Sequence, residues 1–102
     1  MATQILKIET SPYPKVLLNG EYNSLTVYWK GNKSNITQSI AYLYFSGSPQ
    51  VETSYSIRWN DSTLEPDGSW KTPAVQIRPK SLGYIKLKLR SMDRITQQNI
   101  LI

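Results

Sequence analysis

The sequence predicts an all-β domain, and two observations carry that prediction. Residues that favour strands are common, since the 102 residues include seven Tyr and three Trp. Segments in which apolar and polar residues alternate also recur at intervals of roughly 10 to 14 residues, separated by clusters of turn residues. The length is close to the commonest domain size, so we expect one domain spanning residues 1–102.

Two strands are predicted before residue 31. The first covers residues 3–9, although its alternation is imperfect because Ile5 and Leu6 are adjacent, and the Ser-Pro-Tyr-Pro run that follows ends it. A tight turn at Asn19-Gly20 then leads into a strand over 21–30. Leu25, Val27 and Trp29 share one face of that strand, which predicts that Trp29 belongs to the core.

Two more strands are predicted in the middle of the chain. Residues 38–45 are apolar on both faces, as expected of a central strand or one covered by a partner. Residues 51–58 alternate strictly. Clusters of turn residues follow at 60–62 and 65–68.

The last third of the chain predicts three strands. Trp70, Val75 and Ile77 indicate a strand that Pro73 interrupts, so we expect an edge or a bulge there. Residues 84–90 alternate strictly, with an inward face of Ile85, Leu87 and Leu89, and residues 94–102 form the closing strand. About seven strands with turns between them are typical of an immunoglobulin-like β-sandwich, which is the fold we predict.

Composition argues against catalysis. The chain has no Cys and no His, which excludes disulfides, thiolate nucleophiles and the usual Cys/His zinc sites. The seven carboxylates lie mostly in or beside predicted turns. Asp61, Glu65 and Asp67 match no calcium loop, and we read them as turn acids. We therefore expect no enzymatic activity, no metal site and no cofactor.

Two groups of residues are candidates for a protein interface. Tyr42 and Tyr44 alternate with apolar positions that we expect to be buried, so with Ile40 they would form an exposed aromatic row. A basic stripe, Lys86, Lys88 and Arg90, follows Tyr84 on the outer positions of its strand. Such a stripe suits an acidic partner or the phosphates of a nucleic acid, although lysines on strands also prevent aggregation between sheet edges.

Trp59 and Trp70 flank predicted turns and are harder to place than Trp29. Either one could be an exposed platform for stacking on a sugar ring, although a Trp at a strand end more often closes the core. Asn32, Asn35 and Asn60 begin N-x-[ST] sequons in predicted loops. We interpret them as glycosylation sites and expect an extracellular location, while noting that Asn, Ser and Thr are also the residues that loops commonly use.

Several segments together resemble a class of microbial surface immunoglobulin-like domains. The segments are Asn19-Gly20-Glu21, residues 25–32 (LTVYWKGN), residues 64–70 (LEPDGSW) and residues 85–89 (IKLKL). Within that class the chain is most similar to the soluble domain of archaellum stator proteins of the FlaF and FlaG kind. That resemblance implies a small sandwich in the cell envelope (the pseudo-periplasm) that self-associates and anchors a motor to the S-layer. The family tether, an N-terminal membrane helix, has no counterpart here, so membrane attachment is expected only if such a helix was removed.

We therefore expect a non-catalytic extracellular adaptor that binds an S-layer or filament protein and forms homo-oligomers. Tyr42, Tyr44, Lys86, Lys88 and Arg90 are its expected interface residues. Two alternatives stay open: a virus- or plasmid-encoded domain that binds nucleic acid, and a carbohydrate-binding module.

Overall fold

The structure is a computed structural model that describes residues 3–32, 43–45, 57–80, 83–90 and 95–102. These residues form eight strands and a single turn of 3-10 helix at Trp59–Asp61. The strands are β1 Gln4–Ser11, β2 Asn23–Lys30, β3 Leu43–Phe45, β4 Thr63–Leu64, β5 Trp70–Lys71, β6 Val75–Ile77, β7 Tyr84–Arg90 and β8 Ile95–Leu101. Within the described ranges, no helix has the length and apolarity needed to cross a membrane.

The strands form two antiparallel sheets, which confirms the predicted β-sandwich. In the larger sheet β2 pairs with β1 on one side and with both β5 and β6 on the other, and β4 pairs with β5. The smaller sheet has the order β3-β7-β8. If β5 and β6 are counted as one interrupted strand, the described strands divide four to three between the two sheets.

A bulge explains the imperfect alternation of the first strand. Ile5 pairs with Trp29, but Lys7 pairs with Tyr28, so Leu6 is an extra residue on β1. Because of that extra residue, Ile5 and Ile8 both pack against the core although they are three positions apart. Leu6 itself is 40% exposed.

A second bulge lies where Pro73 interrupts the pairing with β2, as the sequence predicts. Leu25 pairs with Val75, and Tyr28 pairs with Lys71. The segment from Lys71 to Val75 is therefore one residue longer than the β2 segment from Leu25 to Tyr28 that it pairs with. Thr72 holds the ladder together at this point. Its backbone N–H donates to the carbonyl of Val27 (3.0 Å), and its hydroxyl accepts from the Val27 N–H (3.0 Å).

The core lies between the two sheets and is built from both. β2 contributes Leu25, Val27 and Trp29, while β7 contributes Ile85, Leu87 and Leu89, and all six are fully buried. The inward faces predicted for these two strands are therefore confirmed. Each Å² of apolar surface that such residues remove from water contributes about 25 cal/mol, so this interior is the main source of stability.

A cluster of three tryptophans forms one end of the core. The Trp59 ring meets Trp29 edge-on at 6.1 Å, and the Trp70 ring stacks on Trp29 at 6.0 Å. The indole N–H of Trp29 donates to Ser62 Oγ (3.0 Å). The indole N–H of Trp70 donates to the Gly31 carbonyl (3.2 Å). Trp59 is buried and Trp70 is half-buried. Neither ring is therefore the exposed sugar platform that the sequence left open, because each packs against Trp29.

The two turn clusters predicted around residues 60–68 are confirmed. Residues 59–61 make the 3-10 turn, and β4 and β5 form a hairpin across residues 65–69. In that hairpin the Gly68 N–H donates to the Glu65 carbonyl (3.0 Å), and Gly68 has a φ of +87°, which suits a residue without a Cβ. The predicted strand over 51–58 lies mostly outside the described residues, and Ile57 and Arg58 are not in a strand.

Candidate functional site

The basic stripe predicted from the sequence lies on β7, the middle strand of the smaller sheet. Positions 84, 86, 88 and 90 alternate with three buried positions, so the backbone assigns them to the outer face. Tyr84 is 42% exposed and Lys86 is half-buried. For Lys88 and Arg90 the backbone belongs to β7, while their side chains lie outside what the structure describes.

The aromatic half of the predicted interface lies beside this stripe. Tyr44 is in β3, and the strand register places it directly opposite Lys86. On the other side of β7, Asn99 of β8 is opposite Lys86, and Gln97 is opposite Lys88. The Tyr44 side chain is not described, and Tyr42 lies outside the described residues. The structure thus brings Tyr44 and Lys86 together as neighbours across two strands.

The charges of the smaller sheet are all of one sign. The described strands β3, β7 and β8 carry three basic residues, Lys86, Lys88 and Arg90, and no Asp or Glu. We call the outer side of this sheet the basic face. The whole chain has a formal net charge of +5, so a large part of its excess charge belongs to one strand.

The outer side of the larger sheet carries charges of both signs. Its strands have three lysines, at positions 7, 30 and 71, and one carboxylate, Glu9, and two further carboxylates lie beside them in the hairpin across residues 65–69. Tyr28 lies at its centre, with Lys7 Nζ 4.6 Å from its ring centroid and Lys71 Nζ 5.7 Å from it. The two lysines belong to the strands on either side of Tyr28. Glu9 binds both neighbours, accepting from the Tyr28 hydroxyl (3.2 Å) and lying 3.3 Å from Lys7 Nζ. Charges of both signs therefore lie close together around Tyr28.

Sequence analysis missed this arrangement around Tyr28, because it depends on register between distant parts of the chain. Lys7 and Lys71 are separated by more than sixty positions, and the bulge at Leu6 decides which residue of β1 lies opposite Tyr28. Alternation alone places Tyr28 on the outer face but does not identify its neighbours.

The turn acids considered as calcium ligands have partners of their own. Asp61 Oδ2 is 3.7 Å from Arg58 Nη1 at the surface. Asp67 Oδ1 accepts from the hydroxyl (2.6 Å) and the backbone N–H (2.9 Å) of Ser69, and the hydroxyl bond in particular holds the pKa of Asp67 below its usual range. In the part of the chain that the structure describes, no three acidic residues form a group able to hold a metal ion.

Two of the three predicted glycosylation sites are described. Asn32 is exposed just after β2, and Asn60 is exposed in the 3-10 turn. Asn35 lies outside the described residues. The two exposed asparagines are therefore accessible to a modifying enzyme in the folded domain.

A groove of about 400 Å³ separates the end strands of the two sheets. On the β1 side it is lined by Leu6, Lys7, Ile8 and Thr10, on the β8 side by Gln98 and Ile100, and at one end by Lys15. Each of these end strands has one hydrogen-bonded partner among the described strands, β2 for β1 and β7 for β8. Among the described strands, the edges that face the groove have no second hydrogen-bonded partner.

Comparisons with known proteins found no matching family model, curated protein or solved structure. The candidate functional surfaces of the described residues are the two sheet faces and the groove.

Proposed function

We propose that this domain is a non-catalytic adaptor that binds an acidic surface of a partner protein through its basic face. The observation that carries the proposal is the register of the smaller sheet, which puts Tyr44 next to Lys86 on strands without any carboxylate. An aromatic residue beside cationic ones is the composition found at protein interfaces, where the ring supplies buried area and the charges supply specificity.

The contrast between the two sheets supports this choice of face. Around Tyr28 on the larger sheet, Lys7 pairs with Glu9 at 3.3 Å, and Lys71 Nζ lies 5.7 Å from the Tyr28 ring centroid. On the smaller sheet the nearest cross-strand neighbours of Lys86 are an aromatic and an amide residue. A strand whose charges are all of one sign attracts a partner of the opposite sign and raises the association rate.

A non-catalytic role is supported by the state of the described carboxylates. Of the five described carboxylates, Glu9, Asp61 and Asp67 each interact with a neighbouring side chain in a geometry that suits a structural role. General acid or base catalysis needs a group with a pKa near the working pH, whereas the pKa of Asp67 is lowered.

The partner class we propose is an S-layer or filament protein of the cell envelope, which would place the domain outside the cell. This part of the proposal comes from the resemblance to microbial surface domains and from the sequons, of which Asn32 and Asn60 are exposed. Anchoring a filament or motor to such a layer requires an adaptor that is itself rigid, as a packed sandwich is.

A second candidate is single-stranded nucleic acid, favoured by the exposed ring of Tyr84 at the start of the basic strand. A base could stack on that ring while the phosphates contact Lys86 and its neighbours. The two candidates differ in salt dependence. Binding through phosphates falls steeply as salt rises, whereas a protein interface with an apolar centre is less sensitive.

The test is co-sedimentation of the purified protein with isolated S-layer sheets from the producing organism, at salt concentrations from low to above physiological. A labelled single-stranded DNA is run in parallel. We expect retention on the sheets that persists at physiological salt. No retention, together with salt-sensitive DNA binding, would overturn the adaptor proposal and favour the nucleic-acid candidate.

A further inference from the structure

The edge of β8 differs from the other described sheet edges in its own sequence, although β1 lies near it and Lys7 and Lys15 line the same groove. β1 carries the bulge at Leu6 and a lysine at position 7, and it runs into Pro12. β4 has only two residues. Bulges, lysines, prolines and short length are the usual means by which natural sheets prevent pairing with another chain.

β8 shows none of these features along its length. It has seven residues, pairs with β7 in a continuous register without a bulge, and contains no proline. It is also the only described strand of more than three residues that lacks a charged residue. In a chain with a net charge of +5, such a strand can approach a copy of itself without repulsion between its own side chains.

We propose that two copies of this chain pair antiparallel along β8, about a two-fold axis through Gln98. Each protomer would then extend the three-stranded sheet of the other into a continuous six-stranded sheet. This inference stands apart from the proposed partner binding, because it uses the edge of the sheet and not the basic face.

The sequence of β8 is self-complementary in this register. Ile95 meets Leu101 of the second copy, Thr96 meets Ile100, Gln97 meets Asn99 and Gln98 meets its own equivalent. Apolar or β-branched positions thus meet one another, and amide positions meet amide positions, which are favourable cross-strand pairs. A shift by one residue would join the outer face of one sheet to the inner face of the other, and a shift by two would place Ile95 opposite Asn99.

The described surroundings of Gln98 leave room for a second strand. Gln98 is exposed, and it lines the groove of about 400 Å³ between β8 and β1. Ile8 and Ile100 line the same groove, so an incoming strand would also cover apolar surface. Pairing of one strand buries less than the 1,200–2,000 Å² typical of stable complexes, so we expect dissociation constants on the order of 10 µM to 1 mM.

Single-cysteine variants of the full chain test the register, because the natural sequence contains no Cys. In Gln98→Cys the two thiols would face each other across the axis, at the Cα separation of about 4.5–5.5 Å that a disulfide accepts. In Gln97→Cys or Asn99→Cys the equivalent positions are diagonal, about 7–8 Å apart, which is beyond that range. We expect mild oxidation to cross-link Gln98→Cys at least about tenfold faster than either neighbour.

Sedimentation equilibrium gives a measurement that does not depend on thiol chemistry. Gln98→Lys would place two like charges opposite each other and should weaken dimerisation by about tenfold or more. Gln76→Lys is the matched control, since Gln76 is an exposed glutamine on β6 of the other sheet. Tryptophan fluorescence on heating checks that both variants remain folded. Equal cross-linking at positions 97, 98 and 99, or a protein that stays monomeric at millimolar concentration, would overturn the proposal.

Discussion

Replacing Asn23 with alanine removes four hydrogen bonds that hold the turn before β2 against β6. Asn23 is 2% exposed. Its Oδ1 accepts from the Leu18 N–H (2.8 Å). The two hydrogens of its Nδ2 are donated to three carbonyls, those of Leu18 (3.1 Å), Glu21 (3.0 Å) and Ile77 (3.1 Å), so two of these bonds share a hydrogen. The Ile77 bond is fully buried, whereas the other three are partly accessible to water.

The burial of these hydrogen bonds determines how much free energy of unfolding the substitution should remove. A carbonyl left without a partner in the interior costs about 1–3 kcal/mol, and each bond that water partly replaces costs about 0.5–1 kcal/mol. We therefore expect Asn23→Ala to lower the free energy of unfolding by about 3–5 kcal/mol, out of roughly 5–15 kcal/mol for a typical domain. The corresponding fall in Tm is roughly 15 °C or more.

The assay is urea and thermal unfolding followed by tryptophan fluorescence, since Trp29, Trp59 and Trp70 report on the core. Gln76→Ala serves as the control, because Gln76 is exposed on β6, one residue from Ile77, and should change the free energy of unfolding by less than about 0.5 kcal/mol. A loss below about 1 kcal/mol for Asn23→Ala would refute the reasoning that these four bonds fix the turn.

Two further predictions concern single residues. Gly31 has a φ of +149°, and a Cβ there would lie 2.9 Å from Thr3 Oγ1 and 3.1 Å from Thr3 Cα. Gly31→Ala should therefore destabilise the domain by about 1–3 kcal/mol in urea unfolding, and an unchanged midpoint would contradict this. Because the folded-state pKa of Asp67 is lowered, its contribution to stability is present above the unfolded pKa of about 3.9 and is lost as pH falls through the folded pKa. Asp67→Ala should thus make the urea midpoint less dependent on pH below about 4, and an unaltered pH profile would count against the Ser69 interaction.

Strands could be predicted from the sequence where one face is apolar and the other polar. β7 was predicted over 84–90 and is observed at Tyr84–Arg90, because strict alternation of buried and outer positions leaves one register. β1 was harder, since the bulge at Leu6 changes the face partway along the strand. Trp59 and Trp70 could not be placed because they flank turns, where alternation carries no information about which side a ring takes.

The candidate site was predictable in its parts but not in its arrangement. Alternation identifies the basic positions on one strand and Tyr42 and Tyr44 on another. Only strand pairing shows that Tyr44 and Lys86 are opposite each other, and pairing between distant segments is not encoded in a local pattern. The cluster around Tyr28 escaped prediction for the same reason.

The basic face can be tested against the rest of the surface with two triple variants of equal charge. One replaces Lys86, Lys88 and Arg90 with Gln, and the other replaces Lys7, Lys30 and Lys71 with Gln. Each removes three of the twelve basic residues and so lowers the formal net charge of +5 by the same amount. The measurement is the dissociation constant for isolated S-layer sheets at physiological salt. The proposal predicts that the first variant binds about tenfold or more weakly while the second binds almost as the natural chain does. Equal losses in the two variants would show that only overall charge matters, and would contradict a binding site on the smaller sheet.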